Sequence, residues 1–213
     1  MKYGSKMNNK AVNYSELFDL SDPLANQPYR LSPVNEQDKW LDQDKIFLMF
    51  QGKWQPPEPV ILKPVMGGRP MDILWSGCPP IMTVSQRIID ILLDYRFKGW
   101  ATYPVQVYDK HEKLLPGYYG FAVKSSVGKP DLKRSKIITR TLVEGGKPAD
   151  FYQGFYFNED NWDGSAIFRI DAAHIVVTGP VKEVLKREKI RNISLTPLSE
   201  YEILTITFSI LNK

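Results

Sequence analysis

The sequence has little of what secreted or membrane-spanning proteins use. Cys78 is the single cysteine among 213 residues, so no disulfide framework can form within the chain, which suits a reducing cytosol. No stretch approaches the roughly 20 apolar residues of a membrane-spanning helix. The first 18 residues contain no apolar run of signal-peptide length. The composition therefore predicts a soluble, cytoplasmic protein.

Motifs of catalysis and metal binding are also missing. The two histidines, His111 and His174, have no partner at metal-ligand spacing, and no H-E-x-x-H, C-x-x-C, G-x-S-x-G or P-loop pattern occurs. Spacing along the chain does not exclude a site assembled in space, so an enzyme with a site near Asp160, Asp163 and His174 stays an alternative. The favoured interpretation is a protein without catalysis, cofactor or metal.

Acidic and amide side chains are concentrated in residues 155–168, FYFNEDNWDGSAIF. If Gly164 took the sixth position of a twelve-residue calcium loop, three oxygen-bearing side chains would have the spacing of ligands. Ile170, however, stands at the twelfth position, where such a loop needs a bidentate glutamate. The segment instead predicts a turn in which Asp163 and Gly164 provide the bend and Trp162 packs against the domain.

Two segments have the period of amphipathic helices. Apolar residues recur every three or four positions in the first, which predicts a helix over about 85–97. Ser85 is its predicted N-cap and Gly99 its predicted stop, because serine can accept an unpaired amide hydrogen and glycine tolerates left-handed backbone. A second helix is predicted at about 180–189. With short strands elsewhere, the predicted fold class is α+β, with mostly antiparallel strands and two principal helices.

The N-terminal part is predicted to differ from the rest. Residues 1–44 are mostly polar and predict a partly irregular arm, whereas residues 45–213 predict a single α+β domain. Residues 45–50, KIFLMF, predict a buried strand. Residues 60–65 predict an extended segment at a sheet edge or in a crossing loop, because the prolines there cannot donate ladder hydrogen bonds. The last strand is predicted at 201–210.

The two helical segments have similar surroundings 93 residues apart. Aligning residues 71–105 with residues 164–198 superimposes the caps, the buried helix faces, the predicted stops Gly99 and Asn192, and a proline that ends the following strand. Only three of the 35 pairs are identical, which is near chance. A duplicated strand–helix–strand unit is one interpretation, and the general likeness of any two such units is the other.

Two surface features predict binding. A basic hairpin at about 129–140 lies beside aromatic strand residues, which can stack bases while the cations hold phosphates, so a nucleic-acid-associated module is an alternative function. The second feature is an excess of aromatic residues of the kind that anchors protein interfaces. Its predicted partner-binding residues are Trp162, Asp163, Tyr118 and Tyr119. The basic residues in and near the hairpin are Lys124, Lys129, Lys133, Arg134, Lys136 and Arg140.

Residues from about 70 to 203 resemble a family of immunity proteins from bacterial polymorphic-toxin systems, formerly catalogued as a domain of unknown function. Three runs carry the resemblance: VSQRIIDILLDYRFKGWATYPVQVYD, PGYYGFAV, and FYQGFYFNEDNWDGSAIFRIDAAHIVVTGPVKEVLKREKIRNISLTPLSE. The last contains an F-x-F and W-D-G-S-x-x-F core ahead of the second helix.

The resemblance implies a non-enzymatic protein that binds a cognate toxin domain and neutralises it by occlusion. The family pattern defines no catalytic residues to carry over. The net charge of +4 then predicts an acidic surface on the toxin, because charge complementarity speeds the capture of a partner. A strongly basic toxin surface would contradict this expectation. No membrane partner is expected, and the sequence leaves the oligomeric state open.

Overall fold

The computed structural model describes residues 12–23, 29–35, 41–76, 81–171 and 174–205. These residues form three α-helices and three β-sheets whose strand pairs are mostly antiparallel, so the predicted α+β class is confirmed. No helix in this part of the chain has the length and apolarity needed to cross a bilayer. Cys78 and residues 206–210 of the predicted last strand lie outside the described residues.

The helices are α1 (Gln43–Phe50), α2 (Gln86–Asp94) and α3 (Gly179–Arg187). The prediction of a strand over residues 45–50 is therefore wrong. The Asp42 carboxylate accepts the first amide hydrogens of α1, including that of Asp44 at 2.8 Å, and so favours helix. Ile46, Met49 and Phe50 then lie at helical spacing on one buried face. With three helices of similar length, the prediction of two principal ones is not confirmed.

The largest sheet has eight strands in the order β6-β9-β5-β4-β2-β3-β7-β8. Only the β2–β4 and β3–β7 pairs are parallel. The strands are β2 (Arg30–Val34), β3 (Val60–Met66), β4 (Ile73–Ser76), β5 (Met82–Ser85), β6 (Trp100–Tyr103), β7 (Val105–Tyr108), β8 (Leu114–Leu115) and β9 (Tyr118–Val123).

Strand β3 lies inside this sheet, so the prediction of an edge or crossing position for residues 60–65 is wrong. It pairs with β2 on one side and with β7 on the other. The ladder with β7 involves Val60 to Leu62 alone, so Pro64 lies beyond it and its missing amide hydrogen breaks no bond on that side.

A four-stranded sheet has the order β12-β13-β1-β14, and a three-stranded sheet has the order β10-β11-β15. Strand β1 pairs with β13 on one side and β14 on the other. Within the predicted N-terminal arm, β1 and β2 are thus interior strands of two different sheets. The strands are β1 (Leu17–Ser21), β10 (Lys136–Thr141), β11 (Pro148–Gln153), β12 (Ile167–Ile170), β13 (His174–Thr178), β14 (Ser194–Pro197) and β15 (Glu202–Leu204).

Helices α2 and α3 end in the same way at positions 93 residues apart. Arg96 and Lys189 have φ angles of 54° and 55°, and the next residue in each case donates its amide hydrogen five residues back along the helix. The predicted stops Gly99 and Asn192 are therefore wrong, because each helix has already ended at a left-handed basic residue. Ser85 precedes α2, but its hydroxyl donates to Asp72 at 2.8 Å instead of capping the helix.

Each helical unit contacts the segment that follows the helix of the other unit. The Trp75 indole nitrogen donates to the Asn192 carbonyl at 2.8 Å, and the Asn192 side chain donates to the Ile73 carbonyl at 2.8 Å. In the other direction, the Ile167 amide donates to the Lys98 carbonyl at 3.0 Å. Both helices also bury their apolar faces in one core cluster. The two units thus form one packed body.

Candidate interaction surface

The acidic segment around residue 160 is joined to the fold by its own side chains. The Glu159 carboxylate forms an ion pair with Arg134 at 3.2 Å and accepts a hydrogen bond from the Tyr14 hydroxyl at 3.0 Å. The Asn161 amide donates to the Val127 carbonyl at 3.2 Å. In the described part of the chain, no group of three His, Cys, Asp or Glu residues has the arrangement to hold a metal ion. These contacts make the segment a structural turn.

Trp162 and Asp163 lie at the end of this turn. The Trp162 ring packs against Phe168 with 5.4 Å between centroids, and its indole nitrogen donates to the Ser165 carbonyl. Asp163 is exposed and accepts hydrogen bonds from the Ser125 hydroxyl at 2.8 Å and the Ser165 amide at 2.9 Å. Partial burial alone would raise the pKa of Asp163, but hydrogen bonds from Ser165 and Ser125 lower it below its usual value.

Tyr118 and Tyr119 lie at the opposite end of β9 from this turn. The Tyr118 hydroxyl donates to the Met71 carbonyl at 2.9 Å, and burial raises the pKa of Tyr118. Tyr119 packs against the core that α2 and α3 share. Ser125, which contacts Asp163, is six residues beyond Tyr119, or about 20 Å along an extended strand. The structure therefore places the four predicted contact residues in two separate pairs.

The basic hairpin begins with a helical turn at Leu132–Arg134 and continues into β10, which pairs with β11. Arg134 lies over the rings of Tyr14 and Tyr156 and pairs with Glu159, while Arg140 pairs with Glu202 at 2.7 Å. Two of the six predicted phosphate contacts are thus occupied within the chain. The hairpin also exposes three large apolar side chains, Ile137, Leu142 and Val143.

A second group of titratable side chains lies at the four-stranded sheet. The His174 ring is 2.9 Å from the Asp171 carboxylate and contacts the rings of Phe155 and Tyr201. Burial alone would lower the pKa of His174, but Asp171 and, more weakly, Asp19 raise it. Asp19 is 2% exposed, and burial raises its pKa to about 6. Its Oδ2 has no hydrogen-bond partner among the described residues.

The alternative enzyme site would combine Asp160 and Asp163 from the acidic turn with His174 from the four-stranded sheet. No hydrogen bond or ion pair between described residues joins His174 to Asp160 or Asp163. His174 is bound to its own sheet neighbours, and Asp163 to the serines of the turn.

A third surface was missed by the sequence analysis. We call it the helix-end surface and define it as residues 93–98 and 186–191, which include the ends of α2 and α3. The guanidinium group of Arg187 lies 5.0 Å above the Tyr95 ring and donates to the Tyr95 hydroxyl. Tyr95 is 44% exposed and Leu93 is 59% exposed. The basic residues are visible in the sequence, but the meeting of two segments 92 residues apart depends on how the helices pack.

Comparison with known proteins places the fold in a family. No curated protein matches the sequence. A family model described as "Immunity protein family (Imm11)" matches residues 15–200, from just before β1 to just after β14. The match includes both helical units and β1 and β2 of the predicted N-terminal arm. It confirms the resemblance that the sequence analysis found over about 70–203, and the chain therefore belongs to the Imm11 family of immunity proteins.

Proposed function

We propose that this protein binds a cognate bacterial toxin domain and neutralises it by occlusion, without catalysis. The observation that carries the proposal is the family match over residues 15–200. Occlusion requires a surface that keeps its shape, and the four-stranded sheet joins β1, near the start of the described chain, to β12, β13 and β14 near its end. The bound toxin would lose access to its target because this rigid body covers its active surface. We place this encounter in the cytoplasm of a bacterium that makes a polymorphic toxin.

The four residues predicted from the sequence remain proposed contacts. Asp163 is exposed and Trp162 is partly exposed at one end of β9, whereas Tyr118 and Tyr119 are partly exposed at the other. A toxin that contacted all four would therefore have to extend along the whole of β9. The single variants Asp163→Ala and Tyr118→Ala test whether either end of β9 takes part in binding the toxin.

We also propose that the two helical units arose by duplication. The proposal is supported by the left-handed residues Arg96 and Lys189 at the same alignment position, and by a common strand order. In each unit a third strand lies between the strand before the helix and the strand after it. That third strand is β9 in the first unit and β1 in the second.

A rescue assay tests the proposed function. The C-terminal domain of the polypeptide encoded beside this gene is expressed in bacteria, with and without the full chain, and growth is followed. We expect growth to be restored only when this protein is present, and the two proteins to elute together in size-exclusion chromatography. Continued killing, or a neighbour without toxicity, would contradict the proposal.

The same purified protein distinguishes the nucleic-acid alternative. Nucleic-acid affinity falls steeply with salt, because phosphate contacts release counterions. Binding of a single-stranded oligonucleotide at 50 mM salt that is lost at 200 mM salt, together with failed rescue, would favour that alternative.

A further inference from the structure

We infer that the helix-end surface docks onto an acidic surface of the cognate toxin domain. The inference rests on the proposed function and adds the part of the molecule that makes the contact. It starts from a cluster that combines an exposed tyrosine, an arginine held over its ring and an exposed leucine. Tyrosine and arginine are among the residues that dominate binding energy at protein interfaces.

The geometry of this cluster is held by contacts within the chain. Arg187 stacks on Tyr95, and Tyr95 stacks on Phe97 with 5.8 Å between ring centroids. Glu188 lies 3.6 Å from Arg187 and 3.8 Å from Arg87. Side chains already held in place lose less conformational freedom on binding, so more of the contact energy contributes to affinity.

The helix-end surface is also strongly basic. Residues 93–98 and 186–191 contain six lysines or arginines and two acidic residues, a net charge of +4. The formal net charge of the whole chain is also +4, so the rest of the sequence is balanced. An acidic partner is therefore attracted to this surface.

Most of these cations have no ionic partner of their own. Among the described residues, the ion pairs at this surface involve Arg187 and the neighbouring Arg87. The cations without an ion pair in the described part of the chain are Arg96, Lys98, Lys186, Lys189 and Arg191. Their attraction is available to an external carboxylate-rich surface.

The backbone gives a second, independent reason to look for a binding role. Arg96 and Lys189 occupy left-handed positions that glycine adopts more readily. A basic side chain near a helix C-terminus interacts favourably with the helix dipole, but other positions in the last turn offer that interaction without left-handed backbone. Both units thus keep a cation where glycine would suit the fold better.

This conflict between fold and charge provides the test. The double variant Arg96→Gly/Lys189→Gly removes two cations and relieves two left-handed backbones, so its Tm should equal or exceed that of the wild type. We expect its association rate with the immobilised toxin domain at low salt to fall by roughly tenfold. The matched control, Lys133→Ala/Lys136→Ala, removes the same charge from the basic hairpin and should associate almost as fast as the wild type.

The outcomes separate the inference from the proposed function. If the wild-type protein neither binds nor rescues, both fall. If it rescues and the helix-end variant binds equally well, or if the hairpin control loses as much, the inference is overturned and the immunity function stands. Loss of oligonucleotide binding by the helix-end variant, with toxin binding unchanged, would likewise overturn it in favour of a nucleic-acid site.

Discussion

Asp19 is a carboxylate buried in the interior of the four-stranded sheet, where few carboxylates are found. It lies in the middle of β1, between β13 and β14, and only 2% of its surface is exposed. Burial disfavours its charged form and raises its pKa to about 6, although the charge of His174 and a hydrogen bond from Ser21 act in the opposite direction. A carboxyl that binds its proton more tightly in the folded state than in the unfolded state stabilises the fold at low pH and weakens it at high pH.

Replacing this carboxyl should stabilise the protein at neutral pH. We expect Asp19→Asn to raise the free energy of unfolding at pH 7 by on the order of 1–3 kcal/mol, because it removes a buried charge. The advantage should shrink as pH falls from 6 towards 4, because Asp19 takes up a proton in the folded state over this range and no longer buries a charge. Urea unfolding at pH 4, 5, 6 and 7 measures this trend.

Asp163→Asn is the control, because this substitution should change the free energy of unfolding at pH 7 in the opposite direction. The pKa of Asp163 is lowered in the folded protein, so its carboxylate stabilises the fold above its unfolded pKa and that stabilisation disappears as pH falls. The asparagine variant should be slightly less stable than wild type at pH 7. A pH-independent gain for Asp19→Asn would contradict the assigned role of burial.

His174 predicts a further loss of stability at higher pH. Its pKa is raised in the folded state, so its stabilising contribution is fully present below pH 6.5 and is lost as pH rises through the folded pKa. The Tm should therefore fall between pH 6 and pH 8. Asp171→Asn removes the hydrogen bond and charge that raise the His174 pKa, and should weaken this fall. An identical pH profile in the variant would contradict the pairing.

Among the elements, helices α2 and α3 were predictable and α1 was not. The apolar residues of α2 follow the helical period over more than two turns, whereas KIFLMF is too short and too uniformly apolar for its period to distinguish helix from strand. The capping carboxylate of Asp42 supplied the missing signal. The helix end was predicted three residues late for α2 and two residues late for α3, because a left-handed basic residue ends each helix ahead of the glycine or asparagine expected to do so.

Glycine is needed at residue 99 because the two helical units pack closely there, and not because α2 ends there. A Cβ at Gly99 would lie 1.7 Å from the Ile167 carbonyl oxygen, and its φ angle is 106°. We expect Gly99→Ala to lower the free energy of unfolding by roughly 3 kcal/mol or more, since a backbone atom has to move. Denaturant unfolding measures the loss.

Gly117→Ala separates the steric cost from the conformational cost. Gly117 also has a positive φ, 79°, but a Cβ there would meet no atom within 4 Å. Its replacement should cost about 1 kcal/mol from backbone strain alone. Equal losses for the two variants would show that the approach to Ile167 is unimportant.

For the whole molecule, the fold class and the family were predicted from the sequence, whereas strands β1 and β2 were not. A strand of five residues such as β1 is too short for a clear hydrophobic pattern, and β1 becomes interior only because β13 and β14 from the far end of the sequence flank it. The helix-end surface depends in the same way on a contact between Tyr95 and Arg187. Both features arise from long-range packing, which local patterns do not encode.

A chain of residues 45–213 tests the predicted boundary between arm and domain. Without β1, strands β13 and β14 lose their common partner, and the surfaces that cover Leu17, Phe18 and Leu20 become exposed. We expect this chain to lack a cooperative thermal transition by circular dichroism. Co-expression of residues 1–44 as a separate polypeptide should restore it. A normal thermal transition for residues 45–213 alone would support the prediction that residues 1–44 are an arm outside the domain.

The position of β1 also determines when the protein can become functional during its synthesis. β1 is among the first described residues to leave the ribosome, yet both of its neighbours in the sheet follow more than 150 residues later. The four-stranded sheet therefore cannot close until translation has passed β14, and pairing between such distant segments is slow. On the proposed function, a partly translated chain gives no protection, and the cell depends on finished copies made before it meets the toxin.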